Sequence, residues 1–185
     1  MHPSVMAWVG ATLTRADIAG RHVLEVGACD VNGSVRPFVE RLRPASYLGV
    51  DSAPGPRVDR VMPAEDLPAQ FPHGFDVVIS TEMMEHAQDW RACMQAIAQM
   101  VRPGGLLVLT TRAPGFPYHP FPGDYWRYTV PLMRRILVAV GFGSLQLCAD
   151  PDPNSPGVFA LARKSSPWTH TPGVLDDIDV PAVVV

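Results

Sequence analysis

The chain is 185 residues long, 47% hydrophobic and 18% charged, proportions that fit one globular domain with a full core and exclude wholesale disorder. Its formal net charge of -3 offers no general attraction to a polyanion, so nucleic acid is not an expected partner, and Arg36, Arg41 and Arg43 read as a solvated helix face. Three cysteines without metal-ligand spacing, no charged-then-apolar leader and no apolar run of membrane-spanning length point to a reduced, cytoplasmic protein with no metal site.

Pro3 and Ser4 suit the start of a helix whose apolar stripe is Val5, Trp8, Val9 and Leu13. Residues 22–26 form an apolar run that reads as a buried strand, and a glycine-containing turn follows it. Asn32 or Ser34 can cap the next helix, which runs through Leu42 and tolerates Pro37 only in its first turn. Residues 47–50 are a second strand and 57–62 a weak third. A fourth strand, 75–80, leads to a helix over 88–101 with Trp90, Cys93, Met94, Ile97, Ala98 and Val101 on one side. Pro103-Gly104-Gly105 then turns the chain into a fifth strand at 106–111. After a long loop, 112–128, Thr129 caps a helix that carries Pro131 near its start and stops before Gly141, with Met133, Ile136, Leu137 and Val140 facing inward. Strands at 144–148 and 158–163 close the pattern, and Cys148, like Cys93, is expected in the core. Strands alternating with helices predict an α/β fold, a mostly parallel, doubly wound sheet covered by helices on both faces. The domain spans 1–164. Residues 165–185, with Trp168 and a terminal Ala-Val-Val-Val run, read as a tail that is disordered or packed on a neighbour.

The chemistry gathers at the strand ends. In Val23-Leu24-Glu25-Val26-Gly27-Ala28-Cys29-Asp30-Val31-Asn32-Gly33 a strand gives way to a turn, where Gly27 lets backbone approach a ligand closely. Glu25 is an acid inside the strand end, and Asp51 ends the following strand, where one carboxylate can accept both hydroxyls of a ribose. Two further stretches complete the set: Phe75-Asp76-Val77-Val78-Ile79-Ser80-Thr81-Glu82-Met83-Met84-Glu85-His86 and the turn Arg102-Pro103-Gly104-Gly105. In this order, over residues 21–164, these motifs resemble the class I S-adenosylmethionine-dependent methyltransferases, and within them the small type 11 domains. The resemblance implies a seven-stranded Rossmann-like sheet ending in an antiparallel hairpin, S-adenosylmethionine as cofactor, and methyl transfer to a small-molecule acceptor. It also implies cofactor contacts at Glu25, Gly27, Ala28, Asp51, Ser52, Ala64, Glu65, Thr81 and Glu82. In that scheme Glu25 orders the loop and helps receive the ligand's ammonium, while Ala64 and Glu65 meet the adenine. The chain departs from the family pattern at Ala28 and Cys29, where glycine usually recurs, and at Pro63, where an acid is usual.

The aromatic, proline-stiffened loop over 114–128 holds Tyr118, His119, Asp124, Tyr125, Trp126 and Arg127, and by the resemblance it walls the acceptor site. The competing reading is an aromatic satellite core with Asp124 and Arg127 as a structural pair. Oxygen is the expected acceptor atom, reached by direct in-line displacement in which alignment supplies most of the acceleration. His86 and His119 are the candidate catalytic bases, set against the fact that a lone histidine is more often structural. The alternative is a catalytically silent methyltransferase-like domain that binds cofactor or a partner. A nicotinamide oxidoreductase is disfavoured because no Gly-x-Gly-x-x-Gly follows the first strand. A nucleic-acid methyltransferase is disfavoured by charge and by the lack of an Asn/Asp-Pro-Pro-Tyr motif for an extruded base. The identity of the acceptor and the oligomeric state have no signature in the sequence.

Overall fold

In the computed structural model, which describes residues 1–165 and 170–183, seven strands form one sheet. They are β1 (His22–Val26), β2 (Ser46–Asp51), β3 (Arg60–Val61), β4 (Phe75–Thr81), β5 (Val101–Arg112), β6 (Phe142–Ala149) and β7 (Gly157–Lys164), in the order β3-β2-β1-β4-β5-β7-β6. The first five run parallel, and β7 lies antiparallel between β5 and β6, which is the terminal hairpin expected. The chain steps outward from β1 to β2 and β3, then returns to β4 on the other side of β1. Strand order therefore reverses between β1 and β4, and sheets of this kind open a ligand crevice beyond the carboxyl ends at that point.

Helices cover both faces: α1 (Pro3–Thr12), α2 (Arg15–Ile18), α3 (Arg36–Arg41), α4 (Leu67–Gln70), α5 (Trp90–Met100) and α6 (Val130–Ala139). The strand period of two explains why the central strands are apolar throughout. Along β1, Val23 joins a core with Val5, Val9, Leu13, Ile18 and Val39, whereas Leu24 and Val26 join the opposite core with Leu67, Ile97 and Leu137. Each such side chain taken fully out of water contributes about 1.5–3 kcal/mol. Caps follow the sequence closely. The Asp89 carboxylate accepts from the amides of Arg91 and Ala92 at the start of α5, and Thr129 accepts from Leu132 at the start of α6. At α3 the expected cap is not found: Val35 holds the cap position without a side-chain bond, and the Ser34 hydroxyl, one residue earlier, accepts from the Arg36 amide at 3.1 Å.

Four expectations need correction. The weak third strand shrinks to Arg60–Val61, paired with Val50 and Asp51. Pro103-Gly104-Gly105 is not a turn ahead of β5. Val101 already pairs with Phe75, and pairing resumes at Val77 with Leu106, so the segment between is a bulge carrying Gly104 at φ 75°. Cys148 is exposed, because β6 is the edge strand and Phe142, Leu145 and Leu147, not Cys148, turn toward the α6 core. Finally, residues 170–183 pack on their own domain. Leu175, Ile178 and Val180 are buried in the α5–α6 core, the Arg91 guanidinium donates to the carbonyls of Leu175 and Ile178, and Ala182 bridges to Trp126. Trp168 and the last two valines lie outside the described residues. Among the described residues no helix is long and apolar enough to cross a membrane.

Candidate active site

Two loops interlock at the crevice. The amides of Gly27 and Ala28 both donate to the Val50 carbonyl, at 2.9 and 3.0 Å, folding the loop after β1 back over β2. Asp51 sits at the junction, half-buried. Its Oδ2 accepts from the Cys29 amide at 3.0 Å and its Oδ1 from the Ala53 amide at 3.2 Å. Arg57 reaches across to Asp30 at 2.9 Å, and a Cβ added at Gly55 would strike Cys29 Sγ, so the loops are in direct contact. A carboxylate has about four acceptor positions, and Asp51 retains acceptor capacity on both oxygens at this rim. Ser52 and Glu65 are exposed nearby, and Ala64 packs half-buried in a short 3-10 turn, Ala64–Asp66.

Glu25 lies beneath the loop, only 1% exposed, with the Tyr47 hydroxyl donating to its Oε2 at 2.7 Å. Burial pushes its carboxyl up to about 7, while Tyr47 and the Arg36 charge pull the other way. Gly27 adopts φ 81°, and a Cβ there would meet Met83 Cγ at 2.6 Å. The side chain that demands glycine at this position is therefore Met83.

At the end of β4, Thr81 is buried, and its hydroxyl makes no hydrogen bond among the described residues. Glu82 follows at φ 57°, held by the Thr110 hydroxyl at 3.0 Å and by an ion pair with Arg112. Arg112 is itself buried, 3.6 Å from Asp150 and stacked over Phe116. Burial lowers its guanidinium to about 10, and the Asp150 carboxylate opposes that shift. Arg112, Asp150 and Tyr47 carry no local sequence signal for a site. They enter it only because the sheet order brings distant segments together.

The aromatic loop packs against the segment after β4, the Tyr125 amide donating to the Glu85 carbonyl at 2.8 Å. Glu85 is fully buried. Its Oε2 accepts from the Thr111 hydroxyl at 2.8 Å, and burial raises its carboxyl against the pull of His86. His86 Nδ1 donates to the Gly123 carbonyl, and its ring packs edge-on against His119, centroids 4.8 Å apart. Asp124 forms a two-pronged pair with Arg127 and accepts from the His119 amide at 3.0 Å. Arg127 is also engaged with the Phe116 and Pro117 carbonyls, so its donors are occupied in holding the loop. Trp126 donates to the Ala87 carbonyl at 2.7 Å. An open cavity of about 470 Å³ lies beside Gly123, lined by Tyr118, Asp124, Tyr125, Trp126 and Ala182 among others. The structure thus brings His86 and His119 together, places Tyr118, Tyr125 and Trp126 on a cavity wall, and ties Arg127 into the loop's own framework.

Residues 6–136 match a family profile described as a methyltransferase domain. The chain is 38% identical over 112 residues to the ubiquinone biosynthesis O-methyltransferase of Xanthomonas euvesicatoria pv. vesicatoria, covering 53% of this chain and 46% of that protein. It is 31% identical over 125 residues to the protein of the same name from Pseudomonas syringae pv. tomato, covering 60% and 51%. The chain therefore spans about half the length of the curated relatives it matches. Among solved structures it is similar to the 1,6-didemethyltoxoflavin-N1-methyltransferase of Burkholderia thailandensis, which has 1,6-didemethyltoxoflavin and S-adenosylhomocysteine bound. The TM-score is 0.66 at 19% identity, covering 88% of this chain and 79% of that one.

Proposed function

The chain belongs to the methyltransferase-domain family, and on that premise we propose that it transfers the methyl group of S-adenosylmethionine to an oxygen of a small-molecule acceptor. The observation that carries this reading is Asp51, fixed by the Cys29 and Ala53 amides at the end of β2 with acceptor capacity left toward the crevice. That is the arrangement a ribose diol needs. Ser52, Ala64 and Glu65 border the adenosine side, Gly27 and Ala28 shape the loop, and Glu25 is the buried acid beneath it that can answer an ammonium group, directly or through water. Thr81 and Glu82 stand at the adjoining strand end. The O-methyltransferase names of the relatives favour oxygen as the acceptor atom.

When bound, S-adenosylmethionine supplies a methyl already activated on sulfonium, so an acceptor oxygen needs only to be aligned and relieved of its proton. The chain's contribution is placement and exclusion of water. The crevice fixes the cofactor side, and Tyr118, Tyr125 and Trp126 offer flat walls for an acceptor in the adjoining cavity. His86 and His119 are the proposed bases for the acceptor's proton, with Asp124 holding the His119 amide and Arg127 holding Asp124. Isothermal titration with S-adenosylmethionine tests the reading. Wild type should bind, and Asp51→Ala should weaken binding ten- to a hundredfold, the loss of about 1.5–3 kcal/mol expected for a hydrogen bond to a charged group. Equal affinity in a folded variant would remove Asp51 from the site.

A further inference from the structure

We propose that Glu85, His86 and His119 form a binding site for a divalent transition-metal ion of the zinc class, against the aromatic loop that borders the cavity; its catalytic use rests on the methyl-transfer reading above. One ligand atom from each residue lies within 4.8 Å of the other two. A tetrahedral ion bound at about 2.0–2.2 Å holds its ligands about 3.3–3.5 Å apart. The cluster is therefore splayed by up to about 1.5 Å relative to the closed geometry, within the reach of side-chain rotation.

Three independent features point to a cation. Glu85 is 0% exposed, and its Oε1 makes no hydrogen bond among the described residues, while Oε2 is fixed by Thr111. A buried carboxylate oxygen left without a partner is costly, and a metal ion removes that cost. His86 is set in the tautomer that a metal requires. The Gly123 carbonyl can only accept, so Nδ1 carries the proton and Nε2 presents a lone pair. That Nε2 faces Glu85 Oε1 at 4.0 Å, too far for a hydrogen bond but suited to sharing an ion. His119 Nδ1 is buried and, although 2.9 Å from the Asp124 carboxylate, makes no hydrogen bond among the described residues, so it is a second buried polar atom left for a further partner.

Two imidazoles and one carboxylate favour Zn2+ and its neighbours over Mg2+ or Ca2+, which prefer all-oxygen surroundings. Three protein ligands leave a coordination position open, as in catalytic zinc sites. An acceptor hydroxyl occupying that position would release its proton to solvent and be held as the oxyanion that attacks the methyl group. Cysteine spacing gives no sign of a metal site in the sequence. The cluster uses no cysteine, and His119 comes from a distant loop.

The test is calorimetric titration of the full chain with Zn2+ alone, on wild type, Glu85→Gln and His119→Gln, each also titrated with S-adenosylhomocysteine. Wild type should bind one equivalent of Zn2+. Both variants should lose at least a hundredfold in Zn2+ affinity while S-adenosylhomocysteine binding stays within about twofold. His119→Gln changes a half-buried loop residue and keeps the test valid if Glu85→Gln fails to fold. No stoichiometric Zn2+ binding in wild type overturns the proposal, as does unchanged Zn2+ affinity in folded His119→Gln. Loss of turnover in His119→Gln without Zn2+ binding in wild type also overturns it and assigns His119 as a base. Zn2+ binding without binding of S-adenosylmethionine or S-adenosylhomocysteine would leave the cation site standing and remove the methyl-transfer reading instead.

Discussion

Glu25 shows how far one residue's behaviour follows from its surroundings. Its carboxyl ionises near 4.5 in an unfolded chain and near 7 beneath the loop, where burial disfavours the charge. Between those values the folded protein holds a proton that the unfolded chain has lost, so stability falls as pH rises from about 4.5 to about 7. The full difference is about 3 kcal/mol. Glu25→Gln should flatten this slope: in urea denaturation it should gain on wild type by about 1–3 kcal/mol between pH 5 and pH 8. An identical pH profile would mean that Glu25 is hydrated in solution. Arg127 makes the opposite case. It neutralises buried Asp124 and satisfies loop carbonyls, so Arg127→Ala strands a carboxylate and should cost about 3 kcal/mol or more in denaturation experiments. A loss under ~0.5 kcal/mol would place the pair on a solvated surface. Gly27 carries a caution of the same kind. Substitution with valine meets Met83 and a φ of 81°, so it would disturb the fold itself and is a poor probe of ligand contact.

Elements were legible where their signals are local. Thr129, Pro131 and Gly141 bracket α6 as cap, first turn and stop, and the apolar stripe of α5 follows from 3.6-residue spacing. What the sequence does not carry is set by neighbours distant along the chain. The exposure of Cys148 depends on β6 being the sheet edge, and the bulge between Val101 and Leu106 depends on the register with β4. Leu175, Ile178 and Val180 follow neither a helical nor a strand period, so nothing local announces that they are buried. In the site, Glu25, Asp51 and the Glu85-His86 pair stand beside recognisable strand ends. The engagement of Arg127 with its own loop and the approach of His119 to His86 arise only in three dimensions. If the described tail is part of the domain core, Leu175→Ala should lower the unfolding free energy by about 2–5 kcal/mol. A change below ~0.5 kcal/mol in urea or thermal denaturation would show the tail to be a surface strap.

At the scale of the whole molecule, the reversal of strand order between β1 and β4 places the interlocked loops and the aromatic loop on one edge of the sheet. The first half of the sheet supplies the rim around Asp51, and in the proposed reading β5 with the loop beyond it supplies the acceptor wall. This division predicts that changes at Tyr118 or Trp126 lower turnover without altering cofactor affinity, whereas changes at Asp51 do the reverse first. The most direct measurement of the central claim is a crystal structure of the protein with S-adenosylhomocysteine. The ligand should lie in the crevice beyond β1 and β2, with its ribose hydroxyls within hydrogen-bonding distance of the Asp51 carboxylate and its amino-acid end against the Gly27 loop above Glu25. A ligand bound elsewhere with Asp51 unengaged, or a crevice that stays empty at saturating concentration, would contradict the account.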